Sequence, residues 1–273
     1  MKRHILILCT VLTAFGLTAF GVVNWNDSKT NELGTTANEQ VVMNRPVFGP
    51  KEKEIFIEFD FDVGPRFNPI KKTKLDKVRT IADFLDAEVV ASIVTLQSVN
   101  VALVENDQQT NVLETGVFET GTTATLTDGQ LLLLQSFDYS SNFLVRAHYR
   151  KKNGNTGILV SDYRSPYFTI VPEKQAEYSY GKEALLYYLK EESKEVRANL
   201  DSENLKAAKL SYSVTEKGAV DSIKLERSSG YPEVDQKMIE LISNLPGSWK
   251  PARNAAGNEV NQEFVISFGA MGC

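Results

Sequence analysis

Histidine and cysteine, which form many catalytic and metal sites, are almost absent from this chain of 273 residues. The histidines are His4 and His148, and the cysteines are Cys9 and Cys273. This set lacks the spacing of a zinc site, and neither cysteine can close a disulfide within a domain. The chain also lacks a glycine-rich phosphate loop and a serine nucleophile motif. The sequence therefore predicts a protein that is not an enzyme and that uses no cofactor or metal.

An excess of positive charge is also lacking. Thirty Lys and Arg residues face 35 Asp and Glu residues, which gives a formal net charge of −5. Nucleic-acid binding requires clustered Lys and Arg side chains that displace counterions from phosphates. The overall charge therefore predicts no nucleic-acid partner.

The one long uncharged run lies at the start of the chain, from Ile5 to Val23. A helix of this length spans roughly 28 Å, enough for the hydrocarbon core of a bilayer. Lys2 and Arg3 before it favour a cytoplasmic N-terminus, while Ala19-Phe20-Gly21 fits a signal-peptidase site. Residues 1–23 are therefore predicted to be an inner-membrane anchor or a cleaved signal peptide. Both alternatives place the remaining chain in the periplasm, either membrane-anchored or soluble.

Residues 24–50 are rich in Asn, Asp, Ser, Thr and Gly and have few apolar side chains. This composition predicts a flexible linker. When fully extended it would reach at most roughly 90 Å.

Residues 51–172 are predicted to form a separate β-rich domain, sandwich-like or α+β. Its first strand alternates apolar residues with carboxylates, at positions that include Phe59, Asp60, Phe61 and Asp62. The carboxylates fit either a solvated strand face or a calcium site, and the absence of a glycine-centred ligand loop favours the strand face. The remaining patterns are strands at Ile93 to Glu105, Asn142 to Tyr149, Gly157 to Asp162 and Tyr167 to Val171, turns at Glu114-Thr115-Gly116 and Glu119-Thr120-Gly121, and a helix capping box at Thr127-Asp128-Gly129-Gln130.

Residues 174–270 show an α+β pattern in the order helix, strand, strand, helix, strand. Leu210, Tyr212 and Val214 alternate with polar residues before a glycine turn at Gly218, which predicts an antiparallel hairpin. Pro232 fits the first position of the second helix. That helix carries an apolar stripe of Val234, Met238, Leu241 and Leu245, and the last strand carries Val260, Phe264, Ile266 and Phe268 on its inner face.

This C-terminal region resembles the TonB C-terminal domain family. The elements that carry the resemblance are the helix beginning Gly181-Lys182-Glu183-Ala184-Leu185, the hairpin with Gly218, Ser228-Ser229-Gly230, the helix that holds Asp235, Trp249-Lys250-Pro251, Gly257 and the final strand. The resemblance covers about ninety residues and implies an antiparallel sheet with helices. Ser228, Ser229, Gly230, Trp249, Pro251 and Gly257 are interpreted as structural positions. For Trp249 and Pro251, direct contact with a partner is the alternative.

The resemblance implies a partner and a binding mode. The final strand would present an open edge to a peptide segment of an outer-membrane TonB-dependent transporter, which would join the sheet as an added strand. The predicted edge strand is Glu259, Val260, Asn261, Gln262, Glu263, Phe264, Val265, Ile266, Ser267 and Phe268, with Asn261, Glu263 and Val265 facing outward. The family resemblance also implies a proton-driven motor in the inner membrane. An open edge can alternatively pair with a second copy of the chain.

Two departures from the family favour a different function. Energising members carry Ser and His within the membrane helix, whereas this apolar run has only Thr10, Thr13 and Thr18 as polar residues. The linker is also short and lacks Pro-rich repeats. The alternative hypothesis is therefore a periplasmic adaptor or structural protein that uses a TonB-like module without energy coupling. A hydrolase within residues 51–172 is the third hypothesis.

Overall fold

Two open, mostly antiparallel sheets form the framework of this α+β protein. The computed structural model describes residues 59–105, 113–201 and 203–270. The strands are β1 (Phe59–Gly64), β2 (Asn68–Lys71), β3 (Thr95–Glu105), β4 (Leu113–Gly121), β5 (Asn142–Lys152), β6 (Leu159–Arg164), β7 (Tyr167–Val171), β8 (Glu177–Tyr178), β9 (Ala207–Val214), β10 (Val220–Arg227), β11 (Trp249–Lys250), β12 (Ala252–Arg253), β13 (Glu259–Val260) and β14 (Gln262–Ala270). The helices are α1 (Lys72–Leu75), a 3-10 turn at Ile81–Asp83, α2 (Ala87–Ser92), α3 (Asp128–Ser136), α4 (Lys182–Glu192), α5 (Lys194–Arg197) and α6 (Pro232–Ser243).

The first sheet has the strand order β1-β14-β9-β10, with all neighbours antiparallel. Its inner face packs against α4 and α6 because alternate residues of each strand are apolar. The largest fully buried side chains of this core include Tyr212, Phe268 and Met238. The predicted inward residues of the hairpin and the α6 residues Val234, Met238 and Leu241 are confirmed by this packing. Leu245, predicted to belong to the same helix, lies beyond the end of α6 and is only partly buried against the core.

The second sheet has the order β2-β7-β5-β3-β4. The side of β5 opposite β3 is shared by two strands, since β7 pairs with its first residues and β6 with Ala147 to Lys152. One face is covered by α3 and the short helices around a core that contains Phe143, Tyr149 and Leu134. The predicted capping box begins α3, where Gln130 N–H donates to the Thr127 hydroxyl and Thr127 N–H donates to the Gln130 side chain.

The first strand does not belong where the sequence placed it. β1 was predicted within the β-rich region 51–172, but it pairs with β14 in the C-terminal sheet. Phe61 and Val63 are buried in that core. The C-terminal sheet therefore contains residues from both sides of the predicted domain boundary at residues 172–174. Alternation of apolar and polar residues predicts a strand, but it does not specify the strand's partner. The described residues belong to one compact unit, Lys53–Cys273.

The two Glu-Thr-Gly sequences were predicted to be turns, and this prediction is wrong. Both lie within β4, which pairs with β3 from Val99 to Glu105. Gly116 has a positive φ of 83° and lies near a register shift in this pairing. A strand with a bulge therefore accommodates a glycine that favours turns.

The predicted export segment, the linker and both cysteines lie outside the described residues. Within the described residues, every helix is too short or too polar to cross a membrane.

Candidate peptide-binding edge

The predicted edge strand is not an open edge, because the chain's own β1 occupies it. β14 has β9 on one side and β1 on the other. The β1 register runs from Phe59 opposite Ala270 to Gly64 opposite Val265. The prediction of an exposed edge at Glu259 to Phe268 is therefore wrong for this structure. The side of β14 where a strand can add is the side that β1 covers.

The direction of the β1 amides follows from one hydrogen bond. Phe61 N–H donates to the carboxylate of Asp60 at 2.8 Å, so it points away from β14. Amides alternate in direction along an antiparallel strand, which directs the Asp62 amide toward Ser267 of β14. On β14, the amides of Val265, Ser267 and Gly269 correspondingly face β1.

Ser140 continues the coverage of β14 beyond the end of β1. Glu263 is the next residue of β14 whose amide faces this side, and its N–H donates to the Ser140 hydroxyl at 2.9 Å. Ser140 lies between α3 and β5, in the part of the chain that forms the second sheet, and it has a positive φ of 66°. The side of β14 that faces β1 thus has its backbone N–H groups satisfied from two different parts of the chain.

Arg66 ties the residues after β1 to the outer face of the C-terminal sheet. Its guanidinium donates two 2.6 Å hydrogen bonds to Glu226 and one 3.0 Å bond to Glu263. The side chains of Arg66 and Glu226 are each only 4% exposed. A buried bidentate pair of this kind fixes geometry strongly, because neither partner can turn to water.

The charges around Arg66 affect one another. Burial acts to raise the pKa of Glu226, but the hydrogen bonds and positive charge of Arg66 hold it below the ordinary value of 4.5. Burial acts to lower the pKa of Arg66, and the carboxylates of Glu226 and Glu263 raise it above its ordinary value. Burial, together with the charges of Arg227 and Arg66, lowers the pKa of Lys209. The pKa shifts of Arg66 and Glu226 thus both favour the charged pair, which is the centre of the cluster.

Apolar packing holds β1 more firmly than its exposed charges do. Phe61 and Val63 insert into the core, and the Arg197 guanidinium lies 4.9 Å from the ring centre of Phe59. Asp62 pairs with Lys182 at 2.8 Å, but both side chains are more than half exposed. Such a surface pair contributes little, so the aromatic and apolar contacts anchor the strand.

An apolar cavity of about 290 Å³ opens where β1 ends. Its lining includes Val63, Pro65, Tyr178, Leu185, Trp249 and Phe264. The Trp249 and Phe264 ring centres lie 5.3 Å apart, and the Trp249 indole N–H is buried without a partner among the described residues. The cavity offers an apolar space next to the strand-binding side of β14.

The predicted edge residues have different environments. Glu259 and Val260 form β13, which pairs with β12, so the last long strand begins later than predicted. The Asn261 side chain accepts the Glu216 N–H. Gln262 is buried, and its side chain bonds Ala176 and Gln175. In β14, Phe264, Ile266 and Phe268 face the core as predicted, whereas Val265, expected to face outward, is buried on the outer sheet face and Ser267 lies beside it on the same face.

The predicted structural positions act as packing and capping residues. The Ser228 hydroxyl and the Ser229 N–H both donate to the buried carboxylate of Asp235, which joins the end of β10 to the first turn of α6. Gly230 and Gly257 have positive φ values of 88° and 82°. The remaining two positions form the packed loop of Trp249 and Pro251, where Trp249 is 8% exposed.

The opposite edge of the sheet is irregular. The pairing of β10 with β9 shifts register between Asp221 and Lys224 and again between Leu225 and Arg227. Ser222, within the first of these shifts, has a positive φ of 54°. Bulges of this kind disturb the row of backbone groups that an added strand needs. Strand addition therefore fits the β14 side better than the β10 side.

Sequence reasoning missed the residues that close the site. The separations in sequence from the β14 partners are 123 residues for Ser140, 197 for Arg66 and 201 to 211 for β1, and no local motif marks such contacts. The one available signal was the aromatic alternation at Phe59 and Phe61, which indicated a strand of unknown partner. Comparisons with protein families, curated proteins and solved structures find no match to this chain.

Proposed function

We propose that this protein is a TonB-like envelope protein that binds outer-membrane transporters by strand addition along β14. A short extended segment of the transporter would take the place of β1. Main-chain hydrogen bonds to Val265, Ser267 and Gly269 would supply affinity, and apolar side chains would enter the space of Phe61 and Val63. This binding supports energised transport across the outer membrane, with the N-terminal anchor and a proton-driven motor on the inner-membrane side.

The pairing of β1 with β14 is the observation that carries this proposal. A six-residue strand is accepted in regular antiparallel register, with two side chains buried in the core. The β14 side therefore has both the polar groups and the apolar sites that an added strand requires. The adjoining 290 Å³ cavity can take one further side chain of a longer peptide.

The alternative is a periplasmic adaptor without energy coupling, and the same strand favours it in one respect. A permanently bound β1 makes the sheet complete, so the partner would bind elsewhere. The two hypotheses differ in whether β1 can be displaced.

The test is a titration of the full-length protein with fluorescent peptides from the N-terminal segments of the host's outer-membrane transporters. Asp62→Pro removes the amide that faces β14, whereas Asp62→Asn keeps it, and both lose the ion pair with Lys182. We expect Asp62→Pro to bind at least fivefold more tightly than Asp62→Asn, because the binding-competent state is more populated.

Either of two results would count against the proposal. If the peptides at millimolar concentration bind neither the wild-type protein nor the two variants, the proposed binding of transporters is wrong. Equal binding by the Pro and Asn variants would show that the peptide site is not the β1 position. Folding of each variant is checked by its thermal unfolding transition.

A further inference from the structure

A second, unrelated site lies on the other sheet, where positive charge is concentrated. Strands β5 and β6 and the turn between them carry five cationic side chains and one carboxylate, although the whole chain has a net charge of −5. The cations are Arg146, Arg150, Lys151, Lys152 and Arg164. This local excess was hidden by the overall composition.

Strand geometry places much of this charge on one face. Arg146, His148, Arg150 and Lys152 are alternate residues of β5, so they share the face opposite the core residues Phe143, Val145, Ala147 and Tyr149. Alternate residues of a strand are roughly 7 Å apart, so these side chains form a row about 20 Å long.

A cleft opens beside this row at the edge strand β6. It has a volume of about 490 Å³ and is lined by Arg146, Asp162, Tyr163, Arg164, Ser165 and Tyr167. Its volume is in the range of small-molecule sites. The single carboxylate, Asp162, pairs with Lys151 at 2.6 Å and lies 3.7 Å from Arg164, so its charge is largely compensated by Lys151.

Tyr163 supplies a flat surface next to the cations. Its ring stacks on His148 with centres 5.7 Å apart and an angle of 29°, and the residue is 57% exposed. One ring face is thus supported by the protein, and the other is open to a ligand. An exposed aromatic ring beside cationic and hydroxyl groups suits a ligand with both an apolar ring face and acid groups.

We propose that this cleft binds an anionic oligosaccharide, with an acid group held by Arg164 and a sugar ring stacked on Tyr163. The row from His148 to Lys152 would follow further acid groups of the same chain. The acid can be a carboxylate or a sulfate, since both accept hydrogen bonds from guanidinium groups. This site is independent of the β14 edge.

The experiment measures binding of three oligosaccharides to the full-length protein by isothermal titration calorimetry. The ligands are hexagalacturonate, a heparin hexasaccharide and the neutral maltohexaose. We expect one or both acidic ligands to bind, with affinity that falls as salt increases, and no binding of maltohexaose. The two acidic ligands distinguish carboxylate from sulfate recognition.

Matched variants locate the site. Tyr163→Ser is compared with Tyr187→Ser, which removes another tyrosine that is 67% exposed, on α4. Arg164→Ser is compared with Arg253→Ser, since both arginines are about half exposed and each lies near one carboxylate. We expect the β6 variants to weaken binding at least fivefold and the controls to leave it unchanged.

Three outcomes would overturn this proposal. They are no binding of either acidic ligand at millimolar concentration, equal losses in the control variants, and tighter binding of hexaglutamate or an oligothymidylate than of both acidic sugars. The last result would assign the cleft to an acidic peptide or to single-stranded nucleic acid.

Discussion

Gly218 shows how a single residue without a side chain permits the packing of the aromatic cluster. A Cβ atom at this position would lie 2.3 Å from the Trp249 carbonyl oxygen, and the φ angle is +73°. The Thr215 to Ala219 turn therefore closes directly against the strand that holds Trp249. The turn thus fixes the position of Trp249, which lines the 290 Å³ cavity, as well as the geometry of the hairpin.

We expect Gly218→Ala to reduce the free energy of unfolding by about 3 kcal/mol, because positive φ and a backbone clash act together. Gly257→Ala is the matched control, since Gly257 has a φ of +82° and open space around its Cα. That variant should lose only about 1 kcal/mol. Urea unfolding measures both, and equal losses would show that the contact with Trp249 does not matter.

Among the elements, β1 is the strand whose displacement the proposed function requires. It lies at the edge of its sheet, and its pairing with β14 ends at Gly64, directly before Pro65. A loosened β1 should expose a defined set of backbone groups and leave the rest of the sheet unchanged.

Hydrogen exchange tests this at single amides. In Asp62→Pro we expect the amides of Val265, Ser267 and Gly269 to exchange at least tenfold faster than in Asp62→Asn. The amides of Ile266 and Phe268 face β9 and should keep their protection. Faster exchange of all five amides would instead indicate that the whole sheet opens with β1.

Local patterns predicted the elements well but not their long-range arrangement. The hairpin around Gly218, the α6 stripe and the Thr127 capping box depend on residues two to four positions apart, and all three were predicted from the sequence. The partner of β1 depends on residues about 200 positions away. An alternating strand fits any half-buried sheet edge, so the sequence could not identify its site or show that β14 was covered.

At the scale of the whole molecule, the Arg66 cluster fixes the short segment between β1 of the first sheet and β2 of the second sheet against the outer face of the first sheet. Arg66 follows β1, while Glu226 and Glu263 belong to β10 and β14. We expect Arg66→Leu to reduce the free energy of unfolding by about 3 kcal/mol, because Glu226 would remain buried without its cation. Arg253→Leu is the control, since its ion pair is about half exposed and should be worth less than about 1 kcal/mol.

The pH dependence of the stability that is lost in Arg66→Leu has a defined sign. The pKa of Glu226 is lowered in the folded protein, so its stabilising contribution is complete above its ordinary value of 4.5 and is lost as the pH falls further. The stability gap between the wild-type protein and Arg66→Leu should therefore narrow below about pH 4.5. A gap that stays constant from pH 7 to pH 3.5 would contradict a role for the Glu226 charge.

The antiparallel pairing of β1 also gives the sheet a direction of mechanical weakness. Phe59, where the preceding chain enters β1, lies opposite Ala270 at the end of β14. Tension between residue 59 and the C-terminal end of the chain loads one hydrogen-bonded pair at a time. Tension between residue 59 and the opposite end of β14 loads all the pairs together in shear. The same six-residue strand is therefore a weak joint under the first pull and a strong one under the second.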